Sequence, residues 1–348
     1  MIARRIGAAA LVAALAAVAA GCGGSSGSQN TTTAIGKSAG EKASVVLVTD
    51  INQLNDRGFN QLAYQGLKRA EKNLGIKGLV YQSPSAQAYI PNLSTAARKG
   101  ADLVVAVGFD QASAVAKVAK QFPQTHFAII DVSNADLAGK PKNVLGLIFK
   151  EQEAGYLACY LAGLVEKQQH GKAIGSVGGQ KQPPVDRYIA GYQAGAKKVV
   201  PNIETLNAYS QDWVDQAKCK QATLDEIGNG ADIVFAVAGG CGLGTLDAAK
   251  EKGVWAIGVD ADQSYLGPQV LTSALKRVDV SVYDAIRQVL DGKFKGGTDA
   301  VFSLSNDGVG IGKVSSKVPK AYVDKVHQIA KDIASGKIKD IPTEVPST

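Results

Sequence analysis

The sequence predicts an α/β fold built as two doubly wound parallel-sheet lobes. Continuous apolar strand runs alternate with amphipathic helices from about Ala43 to about Pro342, which is the pattern of parallel sheets covered on both faces. The alternation closes near Phe149 and then restarts. The folded stretch is roughly 300 residues, about the length at which single cores stop growing and chains divide.

Val45–Val48 is the first strand run. Phe59, Leu62, Ala63, Leu67, Ala70 and Leu74 then recur at helical spacing, and Gly75 stops that helix. A strand at Leu79–Tyr81 and a helix reaching about Arg98 follow. Next come strand Leu103–Val107, helix Ala112–Gln121 ended by Pro123, and strands Phe127–Ile130 and Leu145–Phe149. The second run reads helix Glu151–Gln168, strand Ala173–Val177, helix Val185–Val199, strand Glu204–Tyr209, helix Trp213–Ile227, strand Ile233–Val237, helix Leu243–Lys252 and strand Val254–Val259. Strand Val270–Leu275, helix Val278–Leu290, strand Val301–Leu304 and helix Ala321–Ala334 complete the chain.

The N-terminus points to export. Arg4 and Arg5 precede an apolar run, Ile6–Ala20, which at about 15 residues is shorter than the roughly 20 needed to span a bilayer. A basic start, a short apolar core and small residues before a cut make residues 1–21 a signal peptide. The cut region Val18-Ala19-Ala20-Gly21-Cys22 resembles a bacterial lipobox, with Ala19 where that pattern prefers Leu; Cys22 is the expected lipidation site. Residues 22–42, rich in Gly, Ser and Thr, read as a flexible tether. The location this implies is the extracytoplasmic face of the cell membrane, with a lipid anchor holding a soluble domain.

The net charge of +7 becomes +5 once Arg4 and Arg5 are removed, and the basic residues are scattered. That excludes a nucleic-acid footprint. Of the cysteines after Cys22, Cys159 lies mid-helix among apolar neighbours, Cys219 sits early in a helix and Cys241 lies in a Gly-rich loop. Export permits a disulfide. Three pairings are possible; Cys219–Cys241 is favoured, with Cys159 a buried free thiol, and three reduced cysteines are the alternative. No Cys or His spacing points to a metal, and no cofactor motif is complete.

Ligands of doubly wound sheets bind beyond the carboxyl ends of the strands, so the polar residues there are the candidates. Asp50, Asp131 and Asp260 each end an apolar strand, where a carboxylate can accept from ligand hydroxyl or N–H groups or cap the following loop. Phe59 and Trp213 sit beside polar loops, where two aromatic faces could hold a flat ligand. Gly239 opens a Gly-rich strand-to-helix turn that lets backbone approach a ligand. Lys276 ends a strand and could reach an oxygen-rich ligand.

Five ordered segments carry a family resemblance: Thr49-Asp50 with Leu54–Gln61, Glu151–Ala162, Ala238-Gly239-Gly240 with Gly242, Gly258–Gln263, and Leu271-Thr272-Ser273 with Lys276. In these the chain resembles the basic membrane protein family of purine-nucleoside-binding lipoproteins serving ATP-driven importers. The resemblance implies a type I periplasmic-binding fold with three crossovers and a ligand in the hinge cleft. Residues 43–150 and 262–298 are assigned to the N-terminal lobe, and 151–261 and 299–342 to the C-terminal lobe. By the family pattern Phe59 and Trp213 would sandwich the base; Trp213 stands where the family commonly has Phe. Asp50, Asn60 and Asp131 would bind polar groups of the ligand, and Asp260 and Lys276 the ribose hydroxyls. Ile51-Asn52-Gln53 replaces a common Gly-Gly pair, and Cys219 and Cys241 both replace non-cysteine residues, which fits a branch-specific disulfide.

The expected function is therefore nucleoside binding without catalysis, by a monomer that hands its ligand to an ABC transporter permease. A receptor for a sugar or another small solute on the same fold is the runner-up. A nucleoside-cleaving enzyme ranks third, since His126, His170 and His327 lie away from the cleft motifs.

Overall fold

A computed structural model describes residues 42–346. The expected signal peptide, Cys22 and nearly all of the tether lie outside them. The elements are β1 (Ser44–Val48), α1 (Phe59–Leu74), β2 (Lys77–Tyr81), α2 (Tyr89–Arg98), β3 (Leu103–Ala106), α3 (Ala112–Gln121), β4 (His126–Ile130), β5 (Val144–Phe149), α4 (Glu151–Gln169), β6 (Ala173–Gly178), α5 (Pro183–Val199), β7 (Glu204–Thr205), β8 (Ala208–Tyr209), α6 (Gln216–Gly228), β9 (Ala231–Val237), α7 (Gly242–Lys252), β10 (Trp255–Asp260), β11 (Val270–Lys276), α8 (Val278–Leu290), β12 (Thr298–Phe302), β13 (Val309–Ile311) and α9 (Lys320–Ala334).

Two sheets result. The first runs β12-β5-β4-β3-β1-β2 and is parallel throughout. The second runs β13-β11-β10-β9-β6-β7, parallel except for the antiparallel β11–β13 edge. Each sheet is buried on both faces by the strand period of two. In β1, Val45 and Leu47 pack with Ala63, Leu67 and Ala70 of α1 and Val278 and Val282 of α8. Val46 and Val48 face the other way, with Leu93 of α2 and Val115 of α3.

Two boundaries differ from the sequence reading. β11 belongs to the second sheet, not the N-terminal lobe, because Thr272–Leu275 pairs with Ile257–Asp260. β12 belongs to the first sheet, not the C-terminal lobe, because Thr298–Phe302 pairs in register with Leu145–Phe149. An apolar run shows that a strand exists but not which sheet it joins. The chain therefore changes lobes at Lys150, at Arg277 and between Ser303 and Gly308. These crossovers are stitched together: Lys150 N–H donates to Phe302 O at 2.8 Å, and Arg277 N–H to Gly308 O at 2.9 Å.

Local chemistry corrects one helix start. α6 begins at Gln216, not Trp213, because Asp215 caps it by accepting from Ala217 N–H at 3.0 Å. Trp213 is thus on a loop. The predicted strand 204–209 is two short pieces, β7 and β8, each paired with β6. α4 and α5 approach so closely that a Cβ at Gly155 would collide with Tyr188 O, and one at Gly191 with Gln152 O. A disulfide joins Cys219 and Cys241 with Cα atoms 5.6 Å apart, and Cys159 is a buried free thiol. Among the described residues no helix is long and apolar enough to cross a membrane.

Glu226 of α6 is buried, and burial pushes its carboxyl up to about 8. Between about pH 4.5 and 8 the unfolded chain releases a proton that the folded one keeps, so stability falls as pH rises through that window. Glu226→Gln is expected to flatten this slope and to raise the thermal midpoint at pH 8 above the parent's. Thermal unfolding followed from pH 4.5 to 9 tests this; an unchanged slope would show that Glu226 titrates normally.

Candidate functional site

The carboxyl ends of both sheets face one interlobe cavity lined by aromatic, apolar and charged side chains, the make-up of a small-molecule site. Asp50, Phe59 and Asp131 line it from the first lobe, and Trp213, Gly239, Asp260 and Lys276 from the second. Seven of the eight ligand-binding candidates thus share one cavity. Asn60 does not line it. Its amide lies fully buried behind Asp50, donating to Asp50 Oδ1 at 2.6 Å and to Asn52 O at 3.1 Å.

Helix capping sets the first wall. The Asp56 carboxylate collects the N–H groups of Gly58, Asn60 and Gln61 at 3.0, 2.9 and 3.1 Å, donors that a helix start otherwise leaves unpaired. This fixes the first turn of α1 and, with it, Phe59. Gly108 has φ +106°, and a Cβ there would press to 3.4 Å from the Phe59 ring and 3.5 Å from Asp50 Oδ2; backbone fills the gap between ring and carboxylate. Asp50 Oδ1 also accepts from Asn52 N–H at 2.8 Å. Burial pushes Asp50 up to about 7, although these two hydrogen bonds pull the other way.

Asp131 and Asp260 follow or end their strands with φ of 74° and 63°. That left-handed turn is costly for most side chains and tolerated by Asp. It swings both carboxylates into the cavity. Asp260 Oδ1 accepts from Tyr188 Oη at 3.3 Å. Burial raises its carboxyl to about 7, against the pull of the nearby Lys276 ammonium.

Lys276 is 2% exposed. Its Nζ lies 2.6 Å from Asp131 Oδ1 and 2.9 Å from Glu151 Oε1. It also sits 5.1 Å from the Phe59 ring centroid and 4.9 Å from that of Phe149, close enough for cation–π attraction. Burial alone would pull Lys276 down, but Asp131, Glu151 and Asp260 together push it up to about 12. The other oxygen of Glu151 accepts from Arg187 Nε at 2.6 Å. The network joins both lobes at the first crossover.

The second wall is a braced loop. Cys241 N–H donates to Trp213 O at 2.9 Å, so the disulfide and the Gly239–Gly240 turn stand directly behind Trp213. Gly239 has φ +54°, and a Cβ there would meet Asn52 Nδ2 of the other lobe at 2.9 Å.

Asp110, at the carboxyl end of the β3 run, is among the strand-end positions where contacts are expected, and it lines the cavity. Sequence reasoning did not single out Asn52, Gln182 or Tyr188 as lining residues, nor Arg187 as a support of Glu151. Tyr188 and Arg187 are mid-helix and carry no local signal. Among the described residues no cluster of His, Cys, Asp and Glu could hold a metal ion.

Comparison with known proteins agrees with this architecture. Residues 43–343 match the family Bmp, described as ABC transporter substrate-binding protein PnrA-like. The chain is 36% identical over 314 residues to the ABC transporter nucleoside-binding protein BmpA of Lactococcus lactis, covering 84% of this chain and 87% of that one. It is 32% identical over 323 residues to an uncharacterized lipoprotein of Pyrococcus abyssi, covering 89% and 77%. A solved ABC transporter solute-binding protein of Aeropyrum pernix superposes with a TM-score of 0.77 at 27% identity, covering 86% and 94%. The chain belongs to the Bmp family of ABC transporter substrate-binding proteins: a binding protein rather than an enzyme, with a small-molecule ligand and a transporter permease as partners.

Removing the Lys276 ammonium would leave Asp131 and Glu151 buried with less compensation. Lys276→Met is expected to destabilise the fold by about 3–5 kcal/mol at neutral pH, as breaking one side of a buried pair does. Urea unfolding measures this; a loss under about 1 kcal/mol would mean that the carboxylates find other partners.

Proposed function

We propose that this Bmp-family chain is an extracytoplasmic receptor, lipidated at Cys22, that closes on a purine nucleoside and presents it to an ABC permease. The observation that carries the reading is that aromatic rings and carboxylates from both lobes line one cavity. Phe59 from the first lobe and Trp213 from the second offer two flat apolar faces to a base. Asp260 beside Lys276 suits a ribose: a carboxylate accepts from two adjacent hydroxyls, and an ammonium has three donors, two of which already point to Asp131 and Glu151. Asp50, steadied by Asn60, and Asp131 are left for polar groups of the ligand. The relative named as nucleoside-binding and the relative named as a lipoprotein support the ligand and the anchor respectively. Because the contacts are split between lobes, a closed cleft makes more of them than an open one, and ligand shifts the population towards closure.

Titration calorimetry with guanosine, adenosine, uridine and ribose tests the ligand class. A purine nucleoside is expected to bind at least 100-fold more tightly than ribose; equal affinity for ribose would favour a sugar receptor and sink the nucleoside reading.

Binding should also depend on pH. Asp50 and Asp260 each stand near 7, and only their ionised forms offer both oxygens as acceptors. Protons therefore compete with ligand, and affinity is expected to weaken as pH falls from 8 to 5.5, by up to about tenfold per unit for each group. Constant affinity over that range would mean that neither group must ionise.

A further inference from the structure

Asp110 is not needed by the ligand reading, yet it makes contacts that cross the cleft. It lies on the single 3-10 turn Phe109–Gln111, which follows β3 in the first lobe. One carboxylate oxygen accepts from Gln182 Nε2 at 2.6 Å and the other from Trp213 Nε1 at 3.2 Å. Gln182 precedes α5 and Trp213 precedes α6, so both donors belong to the second lobe. All three side chains line the same cavity. The contacts are solvent-accessible, which puts them at the mouth of the cleft rather than in its floor.

The chemistry of the ring matters here. Phe, Tyr or Trp at position 213 would offer a broad stacking face, but of these only tryptophan adds a ring N–H donor. A hydrogen bond at Nε1 also fixes the plane of the indole, which stacking against a mobile ligand does not. The loop that carries the ring is already held from behind by the Cys241 N–H to Trp213 O bond. Backbone and ring are therefore anchored to different lobes.

We propose that Asp110 is a positioning residue that latches the two lobes through the Trp213 indole and the Gln182 amide, setting the ring plane and holding part of the ligand-free population closed. In an opened cleft these groups would be separated and hydrated, so their pairing counts only in the closed state. A contact supplied by the protein itself biases closure before ligand arrives, and apparent affinity rises with the fraction already competent to bind. The inference rests on where Trp213 sits and not on the ligand being a nucleoside.

The test compares the parent with Asp110→Ala, Trp213→Phe, the double variant and Asp110→Asn. Lobe separation is read by electron–electron double resonance between spin labels on Lys120→Cys and Lys198→Cys, one exposed site on each lobe, in a Cys22→Ser background. Without ligand, the parent is expected to show a closed-distance peak. Asp110→Ala and Trp213→Phe should each move population to longer distances, and the double variant no further than the larger single. Asp110→Asn, which keeps one carbonyl acceptor, should fall between. With guanosine as probe, each single variant should bind threefold to tenfold more weakly, again without addition in the double. A parent that is wholly open without ligand, variant distributions that superimpose on the parent's, or fully additive effects would each overturn the latch. If guanosine fails to bind at all, that counts against a guanosine site and not against the latch, which the ligand-free distances still decide on their own.

Discussion

A charged amine removed from water must be paired, and the rest of the site is arranged around that requirement. The ammonium of Lys276 ends β11, at the second crossover. Its partners come from different parts of the fold: Asp131 from the end of β4, and Glu151 from the first residue of α4, just past the first crossover. Arg187 of α5 then satisfies the remaining oxygen of Glu151. The same charge that could meet a ligand oxygen thus ties the hinge to both lobes. Such a group cannot be altered for ligand preference without disturbing the hinge.

The two sheets repeat one plan. In each, the first strand lies second from the edge, the following strands add in order on its far side, and a late strand returns by a crossover to close the other edge. Both sheets therefore aim their carboxyl ends at each other, and every loop that follows a strand in that direction becomes wall material. The acidic residues that line the cavity need no special device to arrive there beyond a left-handed turn at Asp131 and Asp260.

Much of this was readable from the residues. Alternating runs revealed two lobes, and strand-ending Asp50, Asp131 and Asp260 pointed to the cavity that they do line. The Cys219–Cys241 pairing was favoured because Cys159 sits in a helix among apolar neighbours, and the bond is present. What escaped was information that is not local. Nothing within 270–276 or 298–302 reveals which sheet those strands join; their partners are far along the chain. The family resemblance implied Asn60 as a ligand contact, but one residue along a helix from Phe59 turns a side chain by about 100°, and its amide points back at Asp50. Trp213 was read as the first residue of its helix, beside a polar loop; the cap at Asp215 starts that helix three residues later, at Gln216.

The glycines where α4 meets α5 have a mechanical consequence. With backbone resting on backbone at Gly155 and Gly191, no side chain separates the two helices at those points. The pair behaves as a stiff beam, and Glu151 and Arg187 ride on it together. Deformation imposed at the cavity is passed along that beam, and one of its ends, Glu151 of α4, stands just past the crossover at Lys150. Because most of this pair is buried inside the second lobe, its stiffness belongs to the core there, and Glu151 and Arg187 keep their spacing when the lobe turns.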